Sequence, residues 1–353
     1  MDRAAYKTSV SLRRKRKAVG RGFESHRAHI LMKGEIMYNV VDLFAGCGGF
    51  SRGFREAGFN IALAIENMPI VAKSFKENFP ESIVLVKDIK LVKSEEIESY
   101  VKKVDVVIGG PPCEPFTGTN PRRLKDPLDR LYADPIGMLV LEFIRLVGDL
   151  QPRVFVMENV PGILEGYLKL ALRKEFERIG YKDIHFNVLR AEDYGVPSHR
   201  TRVFISNVRI KPPKADHRIT VIEAIGDLPE PDEPHNIPNH DPIYLPPKKI
   251  KRIAKLKWGE GLIKYLGAGG KVYTNYIRLH PYKLAPTVMG SSRFIHPFYN
   301  RLLTARENAR LMSFPDDHIF LGSRDQQFNQ VGEAVPVLLA KSIAQEIIKY
   351  LAR

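Results

Sequence analysis

Val40-Val41-Asp42-Leu43-Phe44-Ala45-Gly46-Cys47-Gly48-Gly49-Phe50-Ser51 begins as a short apolar run, breaks at a turn holding three glycines, and continues as an amphipathic stretch to Glu56. The reading is strand, glycine turn, helix. Glycines at such a turn let backbone N–H groups approach a ligand closely, and the turn opens onto a helix N-terminus. Many strand-to-helix turns use glycine for geometry alone, so the surrounding pattern has to carry the argument. Short β-branched runs over 40–44, 61–65, 83–86, 104–108, 154–157, 184–188 and 203–206 alternate with helical periodicity over 49–56, 70–78, 97–102, 136–149 and 168–179. This alternation predicts an α/β fold with an open, doubly wound, mostly parallel sheet, whose ligands sit beyond the carboxyl ends of the strands.

Chemistry-bearing residues fall at those strand ends. Glu66 closes the second strand, where a carboxylate can accept the hydroxyls of a ribose, and Asn67 follows it. Asp88-Ile89 follows the third strand. Each carboxylate alone also reads as a strand-end cap or a solvated charge; together with the glycine turn they favour a nucleoside pocket. After the fourth strand comes Gly109-Gly110-Pro111-Pro112-Cys113-Glu114-Pro115-Phe116. Two prolines stiffen the approach to a cysteine on the same sheet edge as the glycine turn. A lone cysteine is often a small buried hydrophobe, but this proline- and glycine-flanked position fits neither a helix nor a strand core. Its thiolate would be a good nucleophile. Cys47, inside the glycine turn, is expected only to pack.

The chain has 353 residues, 44% of them hydrophobic, which suffices for one large domain and a smaller one. Only two cysteines occur, so neither a disulfide framework nor a cysteine-based metal site is expected. No run has the length and apolarity of a membrane span, and the N-terminus lacks a secretory core, so the location expected is the cytoplasm of a prokaryotic cell. The formal charge of +15 implies a polyanionic partner. Nearly half of that excess, +7, lies in residues 1–36. This tail has no periodicity; Arg13-Arg14-Lys15-Arg16-Lys17 could be a nuclear address or a DNA-binding arm. A third reading is that Gly22-Phe23-Glu24-Ser25 is a transfer-RNA T-arm read as protein, with translation starting at Met32 or Met37. Over 248–283 ten basic residues face one acidic residue, Glu260, with Trp258, Tyr265, Tyr273, Tyr276 and Tyr282 interspersed. Such a run is either a solvated basic face or a nucleic-acid footprint. Seven prolines over 229–247 exclude a continuous helix or a central strand there. Helical patterning resumes over 301–314 and 335–351.

In these motifs and their order the chain resembles the DNA (cytosine-5)-methyltransferases, over nearly all of 38–351. They are the glycine turn 42–49, Pro111-Pro112-Cys113, Glu158-Asn159-Val160, Arg200-Thr201-Arg202, the stretch from Arg301-Leu302-Leu303-Thr304 through Phe314-Pro315-Asp316, and Gln330-Val331-Gly332 through Ala334-Val335-Pro336. The resemblance implies a Rossmann-like methyltransferase using S-adenosylmethionine, a monomer acting on duplex DNA without a metal, at a short site as in restriction-modification. It implies that Cys113 attacks carbon 6 of a flipped-out cytosine, that Glu158 holds the base and protonates or hydrogen-bonds its ring, and that Arg202 contacts its carbonyl and positions its phosphate, with Arg200 supporting that loop. Phe44, Ala45, the Gly46-Cys47-Gly48-Gly49 backbone, Glu66, Asn67, Asp88, Ile89, Pro111, Ala334 and Val335 would hold the cofactor. The implied domains are a catalytic part over 37–208, a small irregular target-recognition domain over 209–284, and a return to the catalytic part over 285–353. A transfer-RNA cytosine methyltransferase, suggested by Pro115-Phe116-Thr117, and a catalytically silent DNA-binding relative are the alternatives. Three positions depart from the usual pattern: Glu114 stands where glutamine is common, Ser198-His199 replaces a glutamine-led pair, and Glu333 replaces asparagine.

Overall fold

Alternate residues of the strands feed two different cores, as expected for a sheet covered on both faces. The computed structural model describes residues 37–353. The basic tail and its start-site expectation lie outside the described residues. Strand β1 (Asn39–Leu43) sends Val40 to one core and Val41 and Leu43 to the other. The remaining strands of the main sheet are β2 (Asn60–Glu66), β3 (Ile83–Val86), β4 (Val106–Gly109), β5 (Val154–Asn159), β6 (His185–Arg190) and β7 (Thr201–Ser206). Their order is β3-β2-β1-β4-β5-β7-β6, with β7 antiparallel to both neighbours and the rest parallel. The chain leaves β1 towards one edge and returns beside it as β4, so the strand order reverses between β1 and β4. A doubly wound sheet binds ligands at such a switch point.

Helices α1 (Gly49–Glu56) and α2 (Pro69–Asn78) cover the first core, together with the last helix of the chain. Helices α3 (Ser94–Tyr100), α5 (Leu139–Leu150) and α6 (Leu168–Arg178) cover the second; α4 (Pro127–Tyr132) packs beside α6. All seven expected strands of the main sheet are present, with ends shifted by one or two residues.

Beyond β7 the chain forms α7 (Val221–Ile225), α8 (Pro247–Ile253) and an antiparallel hairpin, β8 (Gly261–Leu266) with β9 (Val272–Ile277). The hairpin is more regular than the irregular domain expected there. After it come α9 (Ala305–Leu311), α10 (Arg324–Glu333) and α11 (Val337–Leu351). The expected helix from residue 301 starts later because Thr304 caps it: its hydroxyl takes the Glu307 amide and the Glu307 carboxylate takes the Thr304 amide at 2.7 Å. Helix α11 lies directly on α1, where a Cβ at Gly53 would sit 2.4 Å from Ala340 Cβ, so only glycine allows that approach. No helix among the described residues is long and apolar enough to cross a membrane.

Candidate active site

Strand β4 reaches its end so close to β1 that a Cβ on Gly109 would meet the Leu43 carbonyl at 2.1 Å. The loops leaving these two strands are therefore neighbours. One carries Cys113, a half-buried free thiol at the start of the single helical turn Glu114–Phe116. The loop is held from three sides. Asn159 at the end of β5 donates to the Pro111 carbonyl at 3.1 Å, the Thr117 hydroxyl donates to the Cys113 carbonyl at 2.9 Å, and Phe116 is fully buried.

Glu158 and Arg202 project from the paired strands β5 and β7 and form an ion pair, Arg202 Nε to Glu158 Oε1 at 2.8 Å, with both side chains largely buried. Gly110 lies under Glu158 Oε2, which a Cβ there would approach to 3.2 Å. A buried pair costs desolvation and persists where further partners use its remaining donors and lone pairs. Burial pushes the Cys113 thiol up from its ordinary value, and the negative charges of Glu158 and Glu114 push the same way, against the Thr117 hydroxyl and Arg202. Thiol, carboxylate and guanidinium thus feel one another across a single site.

A raised thiol leaves little thiolate at neutral pH, so kcat/KM is expected to climb with pH from 7 through 9 without a plateau. Removing one of the raising charges by Glu114→Gln is expected to increase the rate at pH 7 by about two- to fivefold and shift the profile to lower pH. Initial rates across a pH series for both proteins check this; superimposable profiles would refute it.

The glycine turn supplies the other half of the site. Phe44 and Gly46 both have left-handed backbone, φ 62° and 56°, and a Cβ on Gly46 would meet nothing within 4 Å. Glu66 reaches across from β2 and accepts from the amides of Gly46 at 3.0 Å and Met68 at 2.8 Å, with the Asn67 amide also turned to it, which still leaves the carboxylate acceptor capacity. Its carboxyl is held above the ordinary range by burial, against those backbone donors. An open cradle of backbone beside a carboxylate with lone pairs to spare fits a nucleoside cofactor. Asn67 and Asp88 are exposed; Asp88 also caps the short turn Ile89–Leu91 by accepting from the Lys90 amide. Ala45 is buried and its amide is spent on the Ile65 carbonyl. Val335 packs behind the turn, its carbonyl 2.5 Å from where a Gly49 Cβ would be, with the Ala334 side chain beside it.

The remaining candidates line these two loops or brace them from behind. The Cys47 thiol is buried, donates to the Gln330 carbonyl and is pushed up to about 12 by burial, and the Cys47 carbonyl meets the His318 ring at 2.9 Å, so the residue packs as expected. The Ile89 side chain is in the second core and its carbonyl is taken by Arg145, which removes both from the pocket. Pro111 is buried and its carbonyl serves Asn159. Arg200 braces its loop from inside the protein. Its guanidinium is buried and donates to the carbonyls of Val288 at 2.9 Å, Gly332 at 3.1 Å and Ala334 at 3.0 Å. It joins the start of β7 to two distant passes of the chain and is a positioning residue. Arg200→Ala would strand three buried carbonyls, and a loss of about 3 kcal/mol or more of stability is expected; Arg200→Lys should rescue little, since one ammonium cannot repeat the fork. Thermal unfolding of both variants checks this.

The sequence reading missed Asp42, Asn159 and Thr117 as individuals. Asp42 is buried beneath the glycine turn, accepts from Ser51 at 2.6 Å and is raised to about 7 by burial, despite that bond and with a further push from Glu66. Its signal was a carboxylate inside an apolar strand. Two of the departures influence one another: the Glu333 carboxyl is raised by burial and then by the charges of Glu114 and Glu66. His199 meets Glu192 at 3.1 Å, and Ser198 donates to the Leu311 carbonyl.

This arrangement can be compared with known proteins. The sequence model for C-5 cytosine-specific DNA methylases matches residues 38–349. The chain belongs to that family. It is 48% identical to M.MjaORF1200P of Methanocaldococcus jannaschii, over 88% of this chain and 98% of the relative. It is 36% identical to the type II methyltransferase M.DdeI of Desulfomicrobium norvegicum, over 88% of this chain and 89% of the other. A crystal structure described as an E. coli prophage DNA modification methyltransferase superposes with a TM-score of 0.72 at 28% identity, covering 90% of this chain and all of that one. The protein is therefore an S-adenosylmethionine-dependent enzyme that methylates carbon 5 of cytosine in DNA. Among its described residues no group of histidine, cysteine and carboxylate side chains could hold a metal ion.

Proposed function

We propose that Cys113 is the nucleophile of a covalent route, with Glu158 and Arg202 as its partners. The observation that carries this is the Glu158–Arg202 pair at 2.8 Å, which shares its charge field with the Cys113 thiol at the β1/β4 switch point. Ring carbon 6 of cytosine is shut inside a duplex stack, so the base must leave the helix and be read at its Watson–Crick edge. The Cys113 thiolate forms the bond to carbon 6 while the C5=C6 π electrons move towards carbon 5. Glu158 faces N3 and the exocyclic amine; its carboxylate takes a proton from solvent as the base enters and passes it to N3 as the sulfur adds. Arg202 orients Glu158 and meets the base carbonyl. Phe44, the Gly46-to-Gly49 backbone, Glu66 and Asp88 would hold S-adenosylmethionine, which would supply an electrophilic methyl group. Once carbon 5 carries that methyl group, solvent takes the C5 proton, the C5=C6 bond re-forms as the Cys113 thiolate leaves carbon 6, and N3 returns its proton to Glu158.

The part over 209–284, with its basic and aromatic residues, is read as the target-recognition domain. The relatives' names, type II methyltransferases, support a role in restriction-modification. A short target site, a monomer and a prokaryotic cytoplasm are the reading that goes with that role. The test is transfer of radiolabelled methyl groups to duplex DNA and to transfer RNA in parallel. Label on DNA cytosine alone is expected. Label on transfer RNA alone would overturn the substrate assignment, and binding without label would make the protein a silent relative.

A further inference from the structure

The β8–β9 hairpin reaches the loop that carries the nucleophile. At its turn the Ala268 amide donates to the Gly118 carbonyl at 3.0 Å, a few residues past Cys113. On one face of the hairpin the cross-strand partners Tyr265 and Tyr273 stack, ring centroids 5.7 Å apart, and the Tyr273 hydroxyl lies against Gly118. The chain itself occupies that face.

One rung nearer the turn, Leu266 is paired with Val272. Side chains alternate along a strand, so this pair projects from the opposite face. It is 64% and 57% exposed, and exposed Lys264 and Lys271 flank it. A single exposed leucine needs no explanation. An apolar cross-strand pair at the tip of an element that touches the catalytic loop does, because that tip must lie against the substrate when Cys113 reaches its base. A duplex is charged along its backbone, which the lysines suit, and apolar only on the faces of its bases. Those faces open at one place, where the target cytosine has left the stack, and proteins that distort DNA fill such openings with aliphatic wedges.

We propose that Leu266 and Val272 are the wedge that fills the space vacated by the flipped cytosine and packs against the adjoining bases. The inference rests on the base-flipping reading above. Its test first maps the modified site by bisulfite sequencing of DNA from an expressing host. Two duplexes carrying that site are then compared, one fully paired and one with an abasic position opposite the target cytosine, where extrusion is already cheap. The Leu266→Ser/Val272→Ser protein is expected to bind and methylate the paired duplex about tenfold or more weakly, and the abasic duplex within about threefold of wild type. Leu266→Met/Val272→Ile, which keeps the apolar bulk, is expected to behave as wild type on both. Equal loss on the two duplexes, or no loss on the paired one, overturns the wedge while leaving the methylation reading intact. A wild type that modifies no cytosine in the mapping step overturns the reading and the wedge together. Both positions are exposed, so thermal unfolding and donor binding by calorimetry should be unchanged; a collapsed double variant is replaced by Leu266→Ala and Val272→Thr singly, judged by the same paired-to-abasic ratio.

Discussion

Replacement of Cys113 by alanine is expected to lower methyl transfer by about three orders of magnitude or more while leaving DNA and S-adenosylmethionine binding nearly unchanged. Carbon 5 of cytosine is a poor nucleophile until a group adds at carbon 6, so removing the thiolate removes the step that creates the reactive carbon. Cys47 cannot substitute: its thiol is buried, engaged with the Gln330 carbonyl and pushed up to about 12. Cys113→Ser should fail almost as completely, because a hydroxyl gives far less anion than even a raised thiol. The half-buried position tolerates either change, so folding is not the confounder. Single-turnover transfer with labelled donor gives the rate. A target duplex carrying 5-fluorocytosine gives the mechanism, because fluorine blocks the final elimination and should leave wild type, but not Cys113→Ala, attached to DNA on a denaturing gel. Retained activity in Cys113→Ala would end the covalent assignment.

The main sheet was legible because each strand alternates between two cores, and a run such as Val154 to Met157 has few other places to go. Cys113, Glu158 and Glu66 were legible for a related reason: they stand where strands stop, and the parallel topology gathers those ends on one edge. The partners of Arg200 were not. Val288, Gly332 and Ala334 lie far along the chain and offer carbonyls, which sequence does not distinguish, so the supporting role implied for Arg200 came without what it supports. The burial of the Ile89 side chain was hidden in the same way, since one residue of phase decides between pocket and core. The hairpin β8–β9 was obscured by the prolines upstream and by its own exposure; with Leu266, Val272 and Ile263 open to solvent, its alternation is not the polar–apolar kind that marks a half-buried strand. Helix α10 was hidden by its polarity, although the Ser323–Gln326 capping box announced its start.

Glu158→Gln is the sharper test of how the base is activated. Glutamine keeps the length of the side chain and can still accept from Arg202, so the packing between β5 and β7 should survive, but it cannot deliver a proton to N3. General acid catalysis is worth about two to four orders of magnitude, and a fall in kcat of that size is expected. The loss should appear in kcat more than in KM, because Arg202 would still hold the base carbonyl. Two effects of the substitution oppose one another. Removing the Glu158 charge relieves one of the influences that raise Cys113, which increases thiolate at a given pH. Proton delivery to the ring is lost at every pH. If the second effect dominates, the variant's pH profile moves to lower pH while its maximum collapses, and methylation of a cytosine analogue with a more basic N3 recovers part of the rate. A profile that moves without losing height would leave Glu158 as an electrostatic neighbour of the thiol and remove it from the proton-transfer step.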